Sequence, residues 1–280
     1  VKKQLLILLA PLLSACSNGA LLVVNTLARF DNYSLTTDQR YGQHAANKLD
    51  VYQPKEPAKG TIVFFYGGCW GACSTFGKQS YRFVAQTLTS QGYRVVIPDY
   101  RHYPEVLFPD MMIDSANALK WVIDEFHPKD KKPPLFLMGH SAGGHLAAML
   151  TVNEKYLGLE LQQKIRGFIG LAAPYDFIFD KPYLPKVFAN MEYLDSQPSH
   201  FVDGDEAPLL LLYGNQDQAV YRRNIINMTK VVQQKGGQVE AHIYANMNHT
   251  DMLAAFSIPY RNRFSVLNDM AIFLQRVNPE

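Results

Sequence analysis

The stretch Pro133–Leu150 reads PPLFLMGHSAGGHLAAML. Leu135 to Met138 is a short apolar run of the kind that forms a buried strand, and the run rich in Ala, Leu and Met that closes the stretch has helical character. Between them Gly139-His140-Ser141-Ala142-Gly143 is a G-x-S-x-G, which between a strand and a helix is a nucleophile elbow. Such a turn is so sharp that only small residues fit beside the serine. It lifts the Ser141 hydroxyl out of the sheet, where a substrate carbonyl and a histidine can both reach it.

On both sides of the elbow the same alternation repeats. Tyr33–Thr37 and Lys48–Tyr52 read as strands, and Thr61–Tyr66 (TIVFFY) is a continuous β-branched and aromatic run suited to burial on both faces. Tyr81–Gln91 reads as an amphipathic helix stopped by Gly92, Arg94–Pro98 as a strand and Asp110–Phe126 as a helix. After the elbow come the strand Arg166–Leu171, the strand Pro208–Tyr213, the helix Tyr221–Lys235, the strand Val239–Tyr244 and a closing helix Arg263–Val277. Residues 177–205 lack periodicity and are rich in aromatics, as an insertion or lid would be. Strands alternating with helices in this way predict an α/β architecture, a doubly wound and mostly parallel sheet. In such sheets the chemistry gathers at the carboxyl ends of the strands.

A serine hydroxyl is a poor nucleophile until a base takes its proton. His249, in the loop after the last strand, is the candidate base; His140 and His145 flank the serine and carry little weight. Asp217, in the turn Gly214-Asn215-Gln216-Asp217, is the candidate partner that fixes the His249 tautomer. Asp176, at the end of the preceding strand, is its rival, and Asp205 a weaker one. The oxyanion needs backbone N–H groups. Ala142, next after the serine, supplies one, and the glycine-rich loop Tyr66-Gly67-Gly68-Cys69-Trp70 offers those of Gly68 and Cys69. Trp70, Tyr66 and Asp176 are further candidates for the substrate pocket. Cys69 and Cys73 are close enough in sequence to bond, and nothing in the sequence settles whether they do.

These blocks carry a resemblance. Phe64–Trp70, Pro98-Asp99-Tyr100-Arg101-His102-Tyr103-Pro104-Glu105 and Gly139–Gly143 resemble bacterial carboxylesterase-like α/β-hydrolases, relatives of the hormone-sensitive-lipase, kynurenine-formamidase and feruloyl-esterase-like groups. Ala173–Phe177, the Gly214–Asp217 turn and the His249 loop continue it, so that it spans roughly residues 47–277. It implies an α/β-hydrolase fold and a serine esterase with the order Ser141, Asp217, His249, needing no cofactor or metal. It also implies that Asp99 and Arg101 brace the site. Many relatives carry His where this chain has Tyr66, a side chain that braces the oxyanion loop rather than reacting. Two other functions stay in view: hydrolysis of an aryl formamide, and a silent hydrolase fold used for surface binding.

The chain has 280 residues, 48% hydrophobic and 19% charged, which suits one ordinary α/β domain. A formal charge of +2 with no basic stripe argues against nucleic acid as a partner. The start differs from the rest. Lys2-Lys3, the apolar Leu5–Leu13 and Leu13-Ser14-Ala15-Cys16 together read as a signal peptide over 1–15. The last four residues resemble a bacterial lipobox, which implies acylation of Cys16, a tether over 16–30 and a hydrolase domain over 31–280. The expectation is an exported protein held at a bacterial membrane by lipid.

Overall fold

The computed structural model describes residues 19–74, 76–127 and 133–278. The expected signal segment 1–15 and the expected lipidation site Cys16 lie outside the described residues. Eight strands form one sheet: β1 (Tyr33–Arg40), β2 (Lys48–Pro54), β3 (Thr61–Phe65), β4 (Arg94–Pro98), β5 (Leu135–His140), β6 (Ile165–Leu171), β7 (Leu209–Gly214) and β8 (Val239–Tyr244). Their spatial order is β1-β2-β4-β3-β5-β6-β7-β8. β1 and β2 pair antiparallel, as do β2 and β4, and every later neighbour is parallel.

The sequence dictates this arrangement. β3 and β5 are buried at every position, and so is β7 with its Leu209–Leu212 run, because helices cover both faces of a parallel sheet. The helix Ala142–Val152 packs on β5 and β6, Arg223–Lys235 on β8 and β7, and Val266–Val277 on β6 and β7. The edge strand β8 is half-exposed, and its residues alternate accordingly.

Register sets the site. Phe65 lies beside Gly139, so the loop leaving β3 arrives next to the elbow. Gly214 lies beside Tyr244, so the loops leaving β7 and β8 arrive together. The N–H of Gln216 donates to the Met247 carbonyl at 2.9 Å and ties those two loops. The four loops thus share the carboxyl edge of five adjacent parallel strands.

The segment 177–205 is irregular, with short turns of helix at Leu184–Val187, Leu194–Ser196 and Pro198–His200, and its Phe177, Ile178, Tyr183 and Leu184 line the same cavity as Ser141. Phe177 and Phe188 are buried, with Phe188 packed 4.7 Å from Phe108 and 5.0 Å from Trp70 between ring centres. The aromatics that hide its periodicity are the reason it is fixed. Within the expected 16–30 tether, a stretch that also reads as a first helix, residues 19–27 are helical, Ala28 is fully buried, and the Tyr33 hydroxyl donates to the Ala28 carbonyl at 2.8 Å.

Candidate active site

Ser141 follows β5 directly and has φ 54° and ψ −128°, a conformation that costs a residue with a Cβ on the order of 1–3 kcal/mol. Main chain holds it there. The Ser141 N–H donates to the Leu171 carbonyl at 3.0 Å, and the Ser141 carbonyl accepts the first bond of the following helix, from His145, at 3.1 Å. The glycines are a packing requirement: a Cβ on Gly143 would run into the carbonyl oxygens of Phe65 and Tyr66, and one on Gly139 would stand 2.5 Å from the Gly143 carbonyl.

His249 Nδ1–H donates to Asp217 Oδ2 at 2.7 Å. The Asp217 carboxylate is fully shielded from solvent, and its second oxygen accepts the N–H groups of Ala219 and Val220 at 2.8 and 2.9 Å. Three donors therefore replace the water this charge has lost. With Nδ1 protonated and bonded, neutral His249 presents Nε2 as an acceptor. Ser141 and His249 both line one cavity of about 600 Å³, together with Gly67, Gly68, Cys69 and Trp70.

The oxyanion loop has an unusual backbone. Gly68, Cys69, Trp70 and Gly71 have φ of 131°, 53°, 57° and 101° in succession. A disulfide closes the loop between Cys69 and Cys73, which answers the question the sequence left open. A Cβ on Gly67 would lie 2.9 Å from the Ser141 Cβ, so glycine there lets the loop close on the nucleophile. Ala142 is the first residue of its helix, and its amide has no acceptor within that helix.

Side chains beneath this surface prop it. The Trp70 indole N–H donates to His145 Nδ1 at 3.2 Å, and His145 Nε2–H donates to the Ser196 carbonyl at 2.8 Å. His145 is completely buried, and burial pushes its pKa down to about 3, so it is a neutral strut between the oxyanion loop, the elbow helix and the insertion. His140 plays a similar part for the base. Its Nε2–H donates to the His249 carbonyl at 3.0 Å, and burial, then the neighbouring His249, hold it well below the ordinary histidine range.

Tyr66, weighed both as a weak pocket candidate and as a brace, does not line the cavity: it is fully buried, its hydroxyl donates to Asp99 Oδ1 at 2.7 Å, and its ring stacks on Tyr81 and Tyr100. The same Asp99 oxygen accepts the Lys78 N–H at 2.7 Å. Burial works against the Lys78 charge, yet its bonds to Asp38 and Asp50 carry it above the usual lysine range. Arg101 grips Asp114 with two bonds of 2.8 Å. Asp176, the rival acid and weak pocket candidate, is occupied elsewhere, by Arg223 at 3.3 Å and by Asn227. Asp205 sits in the turn over 203–206 and bonds to Asp203. Sequence reasoning thus placed Ser141, Asp217, His249, Gly68, Cys69, Ala142 and Trp70 in one region. His140 and His145, given little weight as the base, act as props instead, a role for which their place beside the serine was the only signal.

Comparison with known proteins agrees in kind. Residues 49–178 match the family described as BD-FAE. Esterase B from Lactobacillus rhamnosis superposes with a TM-score of 0.73 at 19% identity, covering 96% of this chain and 94% of that one. Thermogutta terrifontis esterase 2, solved phosphorylated by paraoxon, gives 0.69 at 19% identity over 88% and 95% of the two chains. The fold is that of the α/β-hydrolases. Among sequences, a probable carboxylic ester hydrolase LipM of Mycobacterium tuberculosis is 29% identical over 68% of this chain and 50% of its own length. A probable isoprenylcysteine alpha-carbonyl methylesterase ICME of Oryza sativa subsp. japonica is 25% identical over 76% and 57%. A kynurenine formamidase of Danio rerio is 25% identical over 77% and 75%. The chain therefore spans little more than half of the rice and mycobacterial relatives.

Proposed function

We propose that this protein is a serine hydrolase of carboxylic esters. One observation carries the reading: Ser141, on a strained elbow, opens into the same cavity as a His249 whose tautomer is fixed by the buried Asp217. Ser141 Oγ attacks the acyl carbon while His249 Nε2 takes its proton. The carbonyl oxygen becomes an oxyanion beside the amides of Gly68, Cys69 and Ala142, each such donor being worth about 3 kcal/mol in the transition state. His249 returns the proton to the departing alcohol. Water then attacks the acyl carbon while giving a proton to His249, and His249 passes that proton to Ser141 Oγ as the acyl–oxygen bond breaks and the acid leaves. The Asp217 carboxylate stabilises the imidazolium that forms in both halves.

Ser141→Ala is expected to lower p-nitrophenyl acetate turnover by about 10⁴-fold or more. A fluorophosphonate probe should modify Ser141 itself, read by peptide mass spectrometry. Wild-type turnover by Ser141→Ala would remove Ser141 as the nucleophile, and no labelling would leave the silent-fold reading instead. The same acylation would cut an aryl formamide, and the zebrafish relative makes N-formylkynurenine the comparison substrate. Our reading also places the protein outside the cytoplasm, at a bacterial membrane, through an acylated Cys16. The lipobox-like Leu13-Ser14-Ala15-Cys16 and the exposed apolar Val23 and Phe30 just after it support this. Cys16→Ser should move the protein from the membrane to the soluble fraction after cell lysis.

A further inference from the structure

The cavity holding Ser141 is built from more of the chain than the catalytic loops. Ala20, Leu21 and Val24 of the helix over 19–27 line it, alongside Phe83, Leu253 and Ala254. Leu21 and Val24 are three residues apart and therefore share one face of the helix. Both are half-buried and packed on the core, whereas Leu22 and Val23 on the other side are exposed. The helix has an inner and an outer face although both are apolar.

A polar lock sets which face turns in. Asn25 Nδ2 donates to the Ser80 carbonyl at 2.8 Å, and its Oδ1 accepts the Phe83 N–H at 3.2 Å. Phe83 is the second residue of the helix Arg82–Ser90, so this amide is one of the N-terminal donors that the helix cannot satisfy itself. Tyr81, the residue before that helix, has no side-chain cap, and Asn25 supplies the cap from 58 residues upstream. Its amide also donates to the Leu21 carbonyl at 2.8 Å. The two faces of one asparagine side chain thereby fix both the helix and the cavity wall.

We propose that the helix over 19–27 is a specificity wall, and that the site takes esters carrying an extended apolar chain rather than small polar or sugar esters. The inference rests on the ester-hydrolase reading above. A cavity of about 600 Å³ is far larger than an acetyl group requires. Its charged lining residues are already paired: Lys181 lies 3.7 Å from Asp180, and the Tyr221 hydroxyl donates to Asp180 at 2.7 Å. Most of the lining side chains are apolar, and Leu21, Val24, Phe83 and Leu253 offer contact to methylene groups.

The test compares kcat/KM for p-nitrophenyl octanoate and acetate in the full chain. Leu21→Ala with Val24→Ala keeps good helix formers and should lower the octanoate-to-acetate ratio roughly tenfold, the effect of losing contact with about two methylene groups. Asn25→Ala, which unlocks the helix while leaving its inner face intact, should lower the ratio in the same direction. Leu22→Ala, on the outer face, should leave both rates as they are. Circular dichroism confirms folding, and Val24→Phe offers an opposite perturbation: filling the wall should depress octanoate more than acetate. A ratio unchanged in the Leu21/Val24 and Val24→Phe variants of an active enzyme overturns the wall. A wild-type protein that turns over neither ester fails differently, removing the ester-hydrolase reading and the wall's role together.

Discussion

Two stretches of positive-φ backbone lie side by side at the cavity, and side chains take a larger part in holding one than the other. At the elbow, Ser141 is fixed by main-chain bonds to Leu171 and His145 and by glycines too close to neighbouring carbonyls to carry a side chain. In the oxyanion loop, positive φ runs through four residues, Gly68 to Gly71, and main-chain bonds, among them Gly71 N–H to the Gly68 carbonyl at 3.0 Å and Tyr103 N–H to the Trp70 carbonyl at 2.9 Å, are joined there by a disulfide and by side chains from distant segments. The Cys69–Cys73 disulfide closes the loop, His145 receives the Trp70 indole, and the Tyr100 hydroxyl donates to the Tyr66 carbonyl at 2.8 Å. Strain held by the main chain is as durable as the fold. The side-chain share of the loop's support can be removed while the fold persists, so the loop is the half of the site that can be tuned.

The comparison breaks first at the elbow. Gly143→Ala places a Cβ against the Phe65 and Tyr66 carbonyls at the junction of β3, β5 and their helix. We expect a loss of about 3 kcal/mol or more in unfolding free energy, with esterase activity and fluorophosphonate labelling disappearing together. A stable, active Gly143→Ala would mean the elbow has slack that its packing denies. The loop should behave otherwise. Cys69→Ser with Cys73→Ser removes a short cross-link worth about 2 kcal/mol in a chain-entropy treatment. Ser141 should still label, but kcat should fall by about 10²-fold as an oxyanion donor loses its position. An unchanged kcat would show that the side-chain props alone suffice.

The same division explains what could be read from the sequence. The elbow was legible because its requirements are local: an apolar strand, glycines at fixed offsets, a helix. Asp217 and His249 were legible because each ends a recognisable strand at the carboxyl edge. The props were not. Nothing near Trp70 in sequence points to His145, 75 residues away, and nothing near Phe83 points to Asn25. The insertion 177–205 looked like a lid because its aromatics follow no period, and they follow none because they pack against Trp70, Phe108 and His145 rather than along a helix of their own. Tyr66 directly follows the fully buried β3, and its partner Asp99 lies 33 residues on, so its own loop does not announce which group it braces against.

His145 permits the finest test, because it supports the loop through a proton. Its Nδ1 must be bare to accept from Trp70, so the strut exists only in the neutral ring. His145→Gln, which cannot span Trp70 and Ser196 with the same geometry, should lower kcat about tenfold with less change in KM, the mark of an interaction made in the transition state. The thermodynamic signature has a definite sign. The folded pKa is depressed to about 3, so between the ordinary histidine value near 6.5 and about pH 3 the unfolded chain binds a proton that the folded protein refuses. Stability must therefore fall as the pH drops through that window, by up to about 1.4 kcal/mol per pH unit for each such histidine. His140 adds a slope of the same sign, and Asp38 and Glu240, both held below the usual carboxylate range, add theirs lower down. Urea unfolding of wild type and His145→Gln at pH 7, 6 and 5 isolates the one term, since everything else is shared. The variant should lose less stability on acidification than the wild type even if it starts lower. Parallel curves would mean that His145 takes up its proton in the folded state, and the oxyanion loop would then be held by something other than a neutral imidazole.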